Sequence, residues 1–252
     1  TVRGRRLLAR ADVVVADRTG GDLVVDEPAA LVWAANMAAL EIPAPMALGA
    51  DIESPQLCVF DLDPGEPATI VDCARVGLAV RDVLAGVGLE SVAKTSGSKG
   101  MQLYVPLNSP HTHEQASGFA NAVARVLEKH HPDDVTSVMR KDLRPGKVFI
   151  DWSQNSRHKT TVAAYSLRAK AEPTVSTPVT WDEVEAAADG APSSLRARPE
   201  PTVSTPITWD EVSDCDDGEV LSFTAPQVLD RVAAKGDLFA PCATLVQHLP
   251  PT

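Results

Sequence analysis

Leu57-Cys58-Val59-Phe60-Asp61-Leu62-Asp63-Pro64-Gly65 is an apolar run that ends in two carboxylates one residue apart. Alternate side chains of a strand share a face, so Asp61 and Asp63 are predicted to project the same way while Leu62 points into the core. Pro64-Gly65 then stops the strand and turns the chain. Two acids on one face repel each other unless something positive sits between them, and a divalent metal is the usual answer. A solvated strand end is the alternative for an isolated Asp-x-Asp.

Downstream of this run, Thr69 or Asp72 can begin a helix reaching about Ala85, with Val71, Ala74, Leu78, Val80 and Leu84 on one apolar stripe and Gly86 and Gly88 as stops. Residues 91–95 and 101–105 read as strands joined by the tight sequence Ser96-Gly97-Ser98-Lys99-Gly100. Thr112 with Gln115 forms a capping box for a helix to about Lys129, whose expected core face is Phe119, Val123, Val126 and Leu127. Residues 148–152 are the last clear core strand, which reaches Asp151 much as the first reaches Asp61. Upstream, residues 13–15 and 22–25 read as short strands. Asp26 can cap a helix to about Leu40, with Leu31, Ala34, Ala35 and Ala38 at helical spacing, and a loop rich in Pro and acids follows.

The last third holds a tandem duplication. Residues 166–184 and 194–212 differ only at Lys170/Arg198, Ala171/Pro199 and Val179/Ile207. Two copies are too few for a solenoid. Only one can fill a given slot in a packed fold, so the other is expected to be an exposed insertion. In each copy a Thr (Thr180 or Thr208) can cap a short helix. Thr224 with Gln227 can cap a last one, with Leu238-Phe239 packed under it. Strand-helix-strand alternation with few aromatics predicts an α/β or α+β domain on a central mixed or antiparallel sheet flanked by helices, spanning 1–252 as one unit.

The net charge of −11 argues at first against a nucleic-acid partner, but the charge is unevenly distributed. Residues 91–170 carry twelve Lys and Arg against six acids, and 171–252 carry four against fourteen. The basic segment follows the Asp-x-Asp strand, where a positive surface suits a phosphate-rich substrate. Cys58, Cys73, Cys215 and Cys242 are scattered with no zinc spacing, as in a cytoplasmic protein with reduced thiols. No apolar run approaches the roughly 18 residues of a membrane span. His111, His113, His130, His131 and His158 have no metal-ligand spacing, and surface or capping roles are expected of them.

Three elements can converge on the acid pair. Between its two strands, the 96–100 loop offers hydroxyls from Ser96 and Ser98, a point charge from Lys99, and glycines that let backbone N–H groups turn toward an anion. It is not a P-loop, since G-x-x-x-x-G-K-[ST] is absent. The third element, Asp151-Trp152-Ser153-Gln154-Asn155, adds a strand-end carboxylate that would complete a two-metal site, with Lys141, Arg144, Lys147, Lys159 and Arg168 nearby in sequence to neutralise a triphosphate. A haloacid dehalogenase-type phosphatase also uses Asp-x-Asp, but Pro64 fits that pattern poorly.

Phe60-Asp61-Leu62-Asp63-Pro64-Gly65, Lys94-Thr95-Ser96-Gly97-Ser98-Lys99-Gly100 and Ile150-Asp151-Trp152-Ser153-Gln154-Asn155 resemble, in order and near spacing, the polymerase domain of bacterial ligase D, of the archaeo-eukaryotic primase superfamily. Tyr165-Ser166-Leu167-Arg168 and the 236–241 segment are similar to the same family, so the resemblance covers nearly the whole chain. It implies a primase-polymerase fold and a nucleotidyltransferase of non-homologous end joining. Such an enzyme takes nucleoside triphosphates, works on DNA ends or a primer-template, and partners a DNA ligase and the Ku end-binding protein. The resemblance further implies that Asp61, Asp63 and Asp151 hold two Mn²⁺ or Mg²⁺ ions and that Ser96, Lys99, Arg144, Gln154 and Arg168 contact nucleotide. Gln102 stands where the family usually has His; it can hydrogen-bond a phosphate but carries no charge, so weaker nucleotide binding is expected. Family members also carry, ahead of the point where this chain begins, a region with basic residues for DNA ends, so a smaller DNA surface is expected. Arg196 matches Arg168 in the second repeat copy, but Arg168 has the family's spacing from Asp151. A degenerate homologue that only binds nucleotide or a repair partner is the alternative.

Overall fold

The computed structural model describes residues 28–39, 41–49, 51–168, 176, 178–189, 229–230, 232–234 and 236–250, together with short backbone pairings at 15–16 with 22–23, at 174–175, and at 202–203 with 223–224. Its centre is a mixed six-stranded sheet. The elements that build it are α1 (Pro28–Asn36), β1 (Leu57–Pro64), α2 (Ile70–Gly86), β2 (Val92–Thr95), β3 (Met101–Pro106), α3 (His113–His130), β4 (Val135–Thr136), β5 (Val148–Asp151), β6 (Pro178–Val179) and α4 (Trp181–Ala188). The strand order is β6-β2-β3-β1-β5-β4, antiparallel throughout except for the parallel β5–β4 pair. The expected sheet flanked by helices is the one observed.

β1 lies inside the sheet, and its alternation sorts its two faces. Cys58, Phe60 and Leu62 are fully buried with Met101, Leu103 and Val105 of β3 against α2, α3 and α4, including an edge-to-face contact of Phe60 with Phe119 at 6.4 Å. The opposite face carries a smaller apolar cluster of Met46, Val59, Tyr104 and Cys242, with Phe239 edge-on to Tyr104 at 5.3 Å. The three main helices begin at capping boxes: Thr69 with Asp72, Thr112 with Gln115, and Thr180 with Glu183. Each box satisfies two of the N–H groups that a helix start leaves without intrahelical partners.

β1 runs through both aspartates and stops at Pro64 as expected, paired with β5 as far as Pro64 and with β3 as far as Leu62. Several other expectations need correction. α1 buries Ala30 and Ala34 rather than a Leu31 face, Leu31 being exposed, and the chain leaves it through Ala38 at φ 56°. The expected loop before β1 contains an antiparallel pairing of Ala47–Leu48 with Asp51–Pro55, and Pro43–Ala44 pairs with Thr161–Val162. Val126 is exposed, since the buried stripe of α3 runs through Ala116, Phe119, Ala120, Val123, Ala124 and Leu127. His113 is buried rather than superficial. Its Nδ1 lies 2.9 Å from the Asn155 carbonyl and its Nε2 2.9 Å from that of Ile52.

The first repeat copy supplies β6, which pairs with β2 at the sheet edge, and the first half of α4, which packs on α2. Apart from a backbone pairing of Thr202–Val203 with Phe223–Thr224, the second copy lies outside the described residues, as do Asp26, Thr208, Cys215 and Gln227. Cys58, Cys73 and Cys242 are free thiols. Among the described residues no helix is long and apolar enough to cross a membrane.

Candidate active site

The site is laid out by strand register. Asp151 of β5 sits opposite Asp61 of β1, Asp61 opposite Gln102 of β3, and Gln102 opposite Lys94 of β2. Directly opposed residues have Cβ atoms about 4.5–5.5 Å apart. One row of polar side chains therefore crosses four strands on the face away from the helices, with Asp63 two residues further along β1. This polar row is next to the apolar row of Val59 and Tyr104 on the same face.

Two glycines allow the surrounding loops to close on the row. A Cβ at Gly100 would stand 2.1 Å from the Leu62 carbonyl oxygen, so the hairpin end rests on the β1 backbone between the two aspartates. A Cβ at Gly65 would stand 2.0 Å from the Arg144 carbonyl oxygen. Gly65 N donates to the Lys147 carbonyl (2.8 Å) and Gly146 N to the Gly65 carbonyl (3.0 Å), which docks the Arg144 loop beside Asp63. The Arg144 guanidinium lies 3.7 Å from the centre of the Phe149 ring, and its Nη2 donates to the Met139 carbonyl.

Together these elements line a cavity of about 470 Å³ that brings Asp61, Asp63, Ser96, Lys99, Gln102, Arg144 and Arg168 to one place. Glu41, Thr160 and Thr161 also line it. Asp151 and Gln154 do not: Asp151 Oδ1 accepts from Ser153 N and Oγ, and its Oδ2 accepts from Gln154 Nε2 at 3.0 Å. Ser96 Oγ accepts from the N–H groups of Ser98 and Gly100 (both 3.2 Å), so these two amides serve the hairpin itself. Lys99 pairs with Glu66 (2.8 Å) and Arg168 with Glu41 (3.1 Å). Among the described residues, the Nε atoms of Arg144 and Arg168 are buried with no hydrogen-bond partner. Buried donors of this kind normally find an acceptor, so both point to an anionic ligand.

The electrostatics reflect crowded acids. Desolvation first and Asp63 second push the Asp61 carboxyl up to about 7, with the Gln102 hydrogen bond and Lys94 opposing. Asp63 is raised by desolvation and then by Asp151, with Arg144 opposing. A hard cation would relieve both, and an all-carboxylate donor set suits Mg²⁺ or Mn²⁺. As the side chains stand, no three Asp, Glu, His or Cys residues among those described converge on one ion position.

Sequence reasoning missed three groups here. Lys94 is fully buried beneath Gln102, Asn155 is fully buried against β1, and Glu41 faces Arg168. The hairpin register alone could have found Lys94, since counting back from the 96–100 turn sets it opposite Gln102.

Comparison with known proteins agrees with this architecture. The family model described as LigD, primase-polymerase domain, matches in two segments, residues 8–191 and 189–239. The multifunctional non-homologous end joining DNA repair protein LigD of Mycobacterium tuberculosis is 46% identical over 189 residues, 72% of this chain and 25% of the relative. The corresponding LigD of Pseudomonas aeruginosa is 38% identical over 161 residues, 62% of this chain and 19% of the relative. The chain thus spans about a quarter or less of the length of these curated relatives. The solved polymerase domain of M. tuberculosis ligase D in complex with DNA superposes with a TM-score of 0.70 at 36% identity, covering 94% of this chain and 75% of that one. The residues that motivated the resemblance therefore sit in a matching fold, and the chain belongs to the LigD primase-polymerase domain family.

Proposed function

We propose that this domain is a nucleotidyltransferase that adds ribo- or deoxyribonucleotides to DNA ends or gaps during non-homologous end joining. The observation that carries this reading is the cavity in which two crowded carboxylates meet Lys99, Arg144 and Arg168, with two guanidinium Nε atoms buried and without a partner among the described residues. Arg144 and Arg168 would bind phosphate oxygens through planar donor forks, and Lys99 as a point charge. Ser96 Oγ, already an acceptor for two backbone amides, keeps its hydroxyl hydrogen for a phosphate oxygen.

Asp61, Asp63 and Asp151 would hold manganese or magnesium, two ions in the complete site. When bound, such ions lower the pKa of the primer 3′-hydroxyl and neutralise the leaving pyrophosphate. Gln154 and Ser153 orient the Asp151 carboxylate through their hydrogen bonds to it. The solved relative was captured with DNA, which supports a DNA end or primer-template as the second substrate. A DNA ligase and the Ku end-binding protein are the partners this reading implies.

A second reading, a non-catalytic homologue that binds nucleotide or a repair partner, is favoured by Gln102 and by the engagement of Lys99 and Arg168 with acids. Primer extension with Mn²⁺ and nucleoside triphosphates separates the two. Extension is expected from the unaltered chain and is expected to vanish in Asp61→Ala and Asp151→Ala. Extension surviving either substitution overturns the metal assignment. Nucleotide binding in calorimetry without extension leaves the second reading.

A further inference from the structure

The row Asp151–Asp61–Gln102–Lys94 ends in a side chain that neither the fold nor the proposed chemistry requires. Lys94 is fully buried, and a lysine has no reason to enter a protein interior unless its ammonium is satisfied there. Its Nζ donates to Gln102 Oε1 (2.5 Å) and to Ser176 Oγ (2.5 Å), and it lies 5.5 Å from the centre of the Tyr104 ring. Ser176 is also fully buried, and its hydroxyl donates onward to the Thr95 carbonyl (3.1 Å). Lys94 Nζ donates to the Gln102 carbonyl oxygen, so the Gln102 amide nitrogen faces its other neighbour, Asp61. The Tyr104 hydroxyl, 3.2 Å from the same Gln102 oxygen, closes the arrangement.

We propose that Lys94 is a positioning residue for nucleotidyl transfer: held by Ser176 of the first repeat copy, it fixes Gln102 so that its amide nitrogen orients the Asp61 carboxylate. The inference rests on the proposed function for its kinetic consequence, but not for its geometry. It assigns Gln102 to the carboxylate rather than to the triphosphate. It also makes the first copy of the duplication the working one, because it is Ser176 of that copy that holds Lys94.

The test is a double-mutant cycle on the full chain. Lys94→Met is expected to lower kcat for Mn²⁺-dependent primer extension about tenfold or more with little change in the nucleotide KM, and to lower it less than about twofold when Gln102 is already Met. Equal losses in both backgrounds overturn the proposal, since a merely structural lysine would act independently of Gln102. Ser176→Ala, a smaller change that guards against misfolding of the lysine variant, is expected to reproduce part of the kcat loss, whereas Ser204→Ala leaves kcat unchanged. The reverse ranking also overturns it. If the unaltered chain transfers no nucleotide, the proposed function fails while the side-chain amide resonances of Gln102 still judge Lys94. They are expected to be slow in hydrogen exchange in the unaltered chain and in Ser204→Ala, and fast in Lys94→Met and Ser176→Ala. Unchanged exchange in all variants refutes the positioning role.

Discussion

Replacing Asn155 with Ala tests how the third carboxylate is held. β5 ends at Asp151, opposite Asp61, and the chain then curls into the 3-10 turn Trp152–Asn155. Val59 of β1 is left facing a place where β5 no longer runs, and the Asn155 side chain fills it. Its Oδ1 accepts from Val59 N (2.7 Å), and its Nδ2 donates to the carbonyls of Val59 (2.8 Å) and Trp152 (2.9 Å). Asn155 is fully buried, and Val59 with it. Truncation to Ala strands the Val59 N–H and carbonyl in the interior, each costing about 1–3 kcal/mol, so a total loss of about 2–6 kcal/mol is expected. That is a large share of the 5–15 kcal/mol typical of a domain. Urea denaturation monitored by fluorescence of the tryptophans gives the difference directly, with m unchanged if the folded and unfolded ensembles keep their extents. Asn155→Asp provides the control for chemistry over volume: it keeps the acceptor for Val59 N but turns a carboxylate oxygen toward two carbonyls, so it should cost at least as much. A loss below about 1 kcal/mol in Asn155→Ala would refute the reasoning.

Three further outcomes are expected. In metal-free buffer, Asp61 holds its proton to about pH 7 in the folded state against 3.8 for the reference carboxyl. The stability tied to that proton is thus complete below pH 3.8 and is lost as pH rises through 7, whereas the profile of Asp61→Asn should be flatter over this window, with the raised Asp63 carboxyl still contributing. Only the part of that window between pH 5 and 7 is sampled by denaturation midpoints read at pH 5 and pH 8, so a difference of about 2 kcal/mol is expected; parallel profiles would contradict the assignment. Gly100→Ala must push the hairpin off the Leu62 carbonyl, so a lowered melting temperature together with lost primer extension is expected, and an unchanged melting temperature would mean the close approach is not real. Nucleotide and divalent ion should bind with strong mutual dependence, because Asp61 and Asp63 repel a triphosphate that arrives alone. Affinity in EDTA is expected to be at least about tenfold weaker than with Mn²⁺, and equal affinities in a fluorescent-nucleotide titration would argue against the acids sharing the nucleotide's cavity.

What could be read from the sequence was whatever local rules govern. The alternation in β1 placed Asp61 and Asp63 on one face and Leu62 on the other, because a strand's period of two leaves no alternative once Phe60 and Leu62 are buried. The capping boxes at Thr112 and Thr180 were visible for the same reason, being contacts between residues three apart. Long-range approach was not readable. Nothing near Gly65 announces that the Arg144 backbone will press against it, and nothing in Leu31 says that α1 will turn its alanines inward instead. Pattern gives a helix's apolar residues, but the partner surface decides which of them is covered.

The acidic balance of the chain illustrates the same division between local and long-range information. A net charge of −11 is a poor guide to an anion site, because Coulomb energy over a Debye length of about 8–10 Å depends on what lines the cavity and not on the whole surface. Around the cavity the register of four strands and two glycine contacts gathers Lys94, Lys99, Arg144 and Arg168 about Asp61 and Asp63. Of these, Lys99 and Arg168 already face Glu66 and Glu41, so an incoming phosphate competes with a carboxylate for each of them. Arg144 has no carboxylate partner among the ion pairs of the described residues, its guanidinium resting on Phe149 and its Nε buried without an acceptor. The first phosphate contact to form should therefore be at Arg144, because it displaces no existing ion pair, with Lys99 and Arg168 recruited as their glutamates are exchanged for phosphate oxygens.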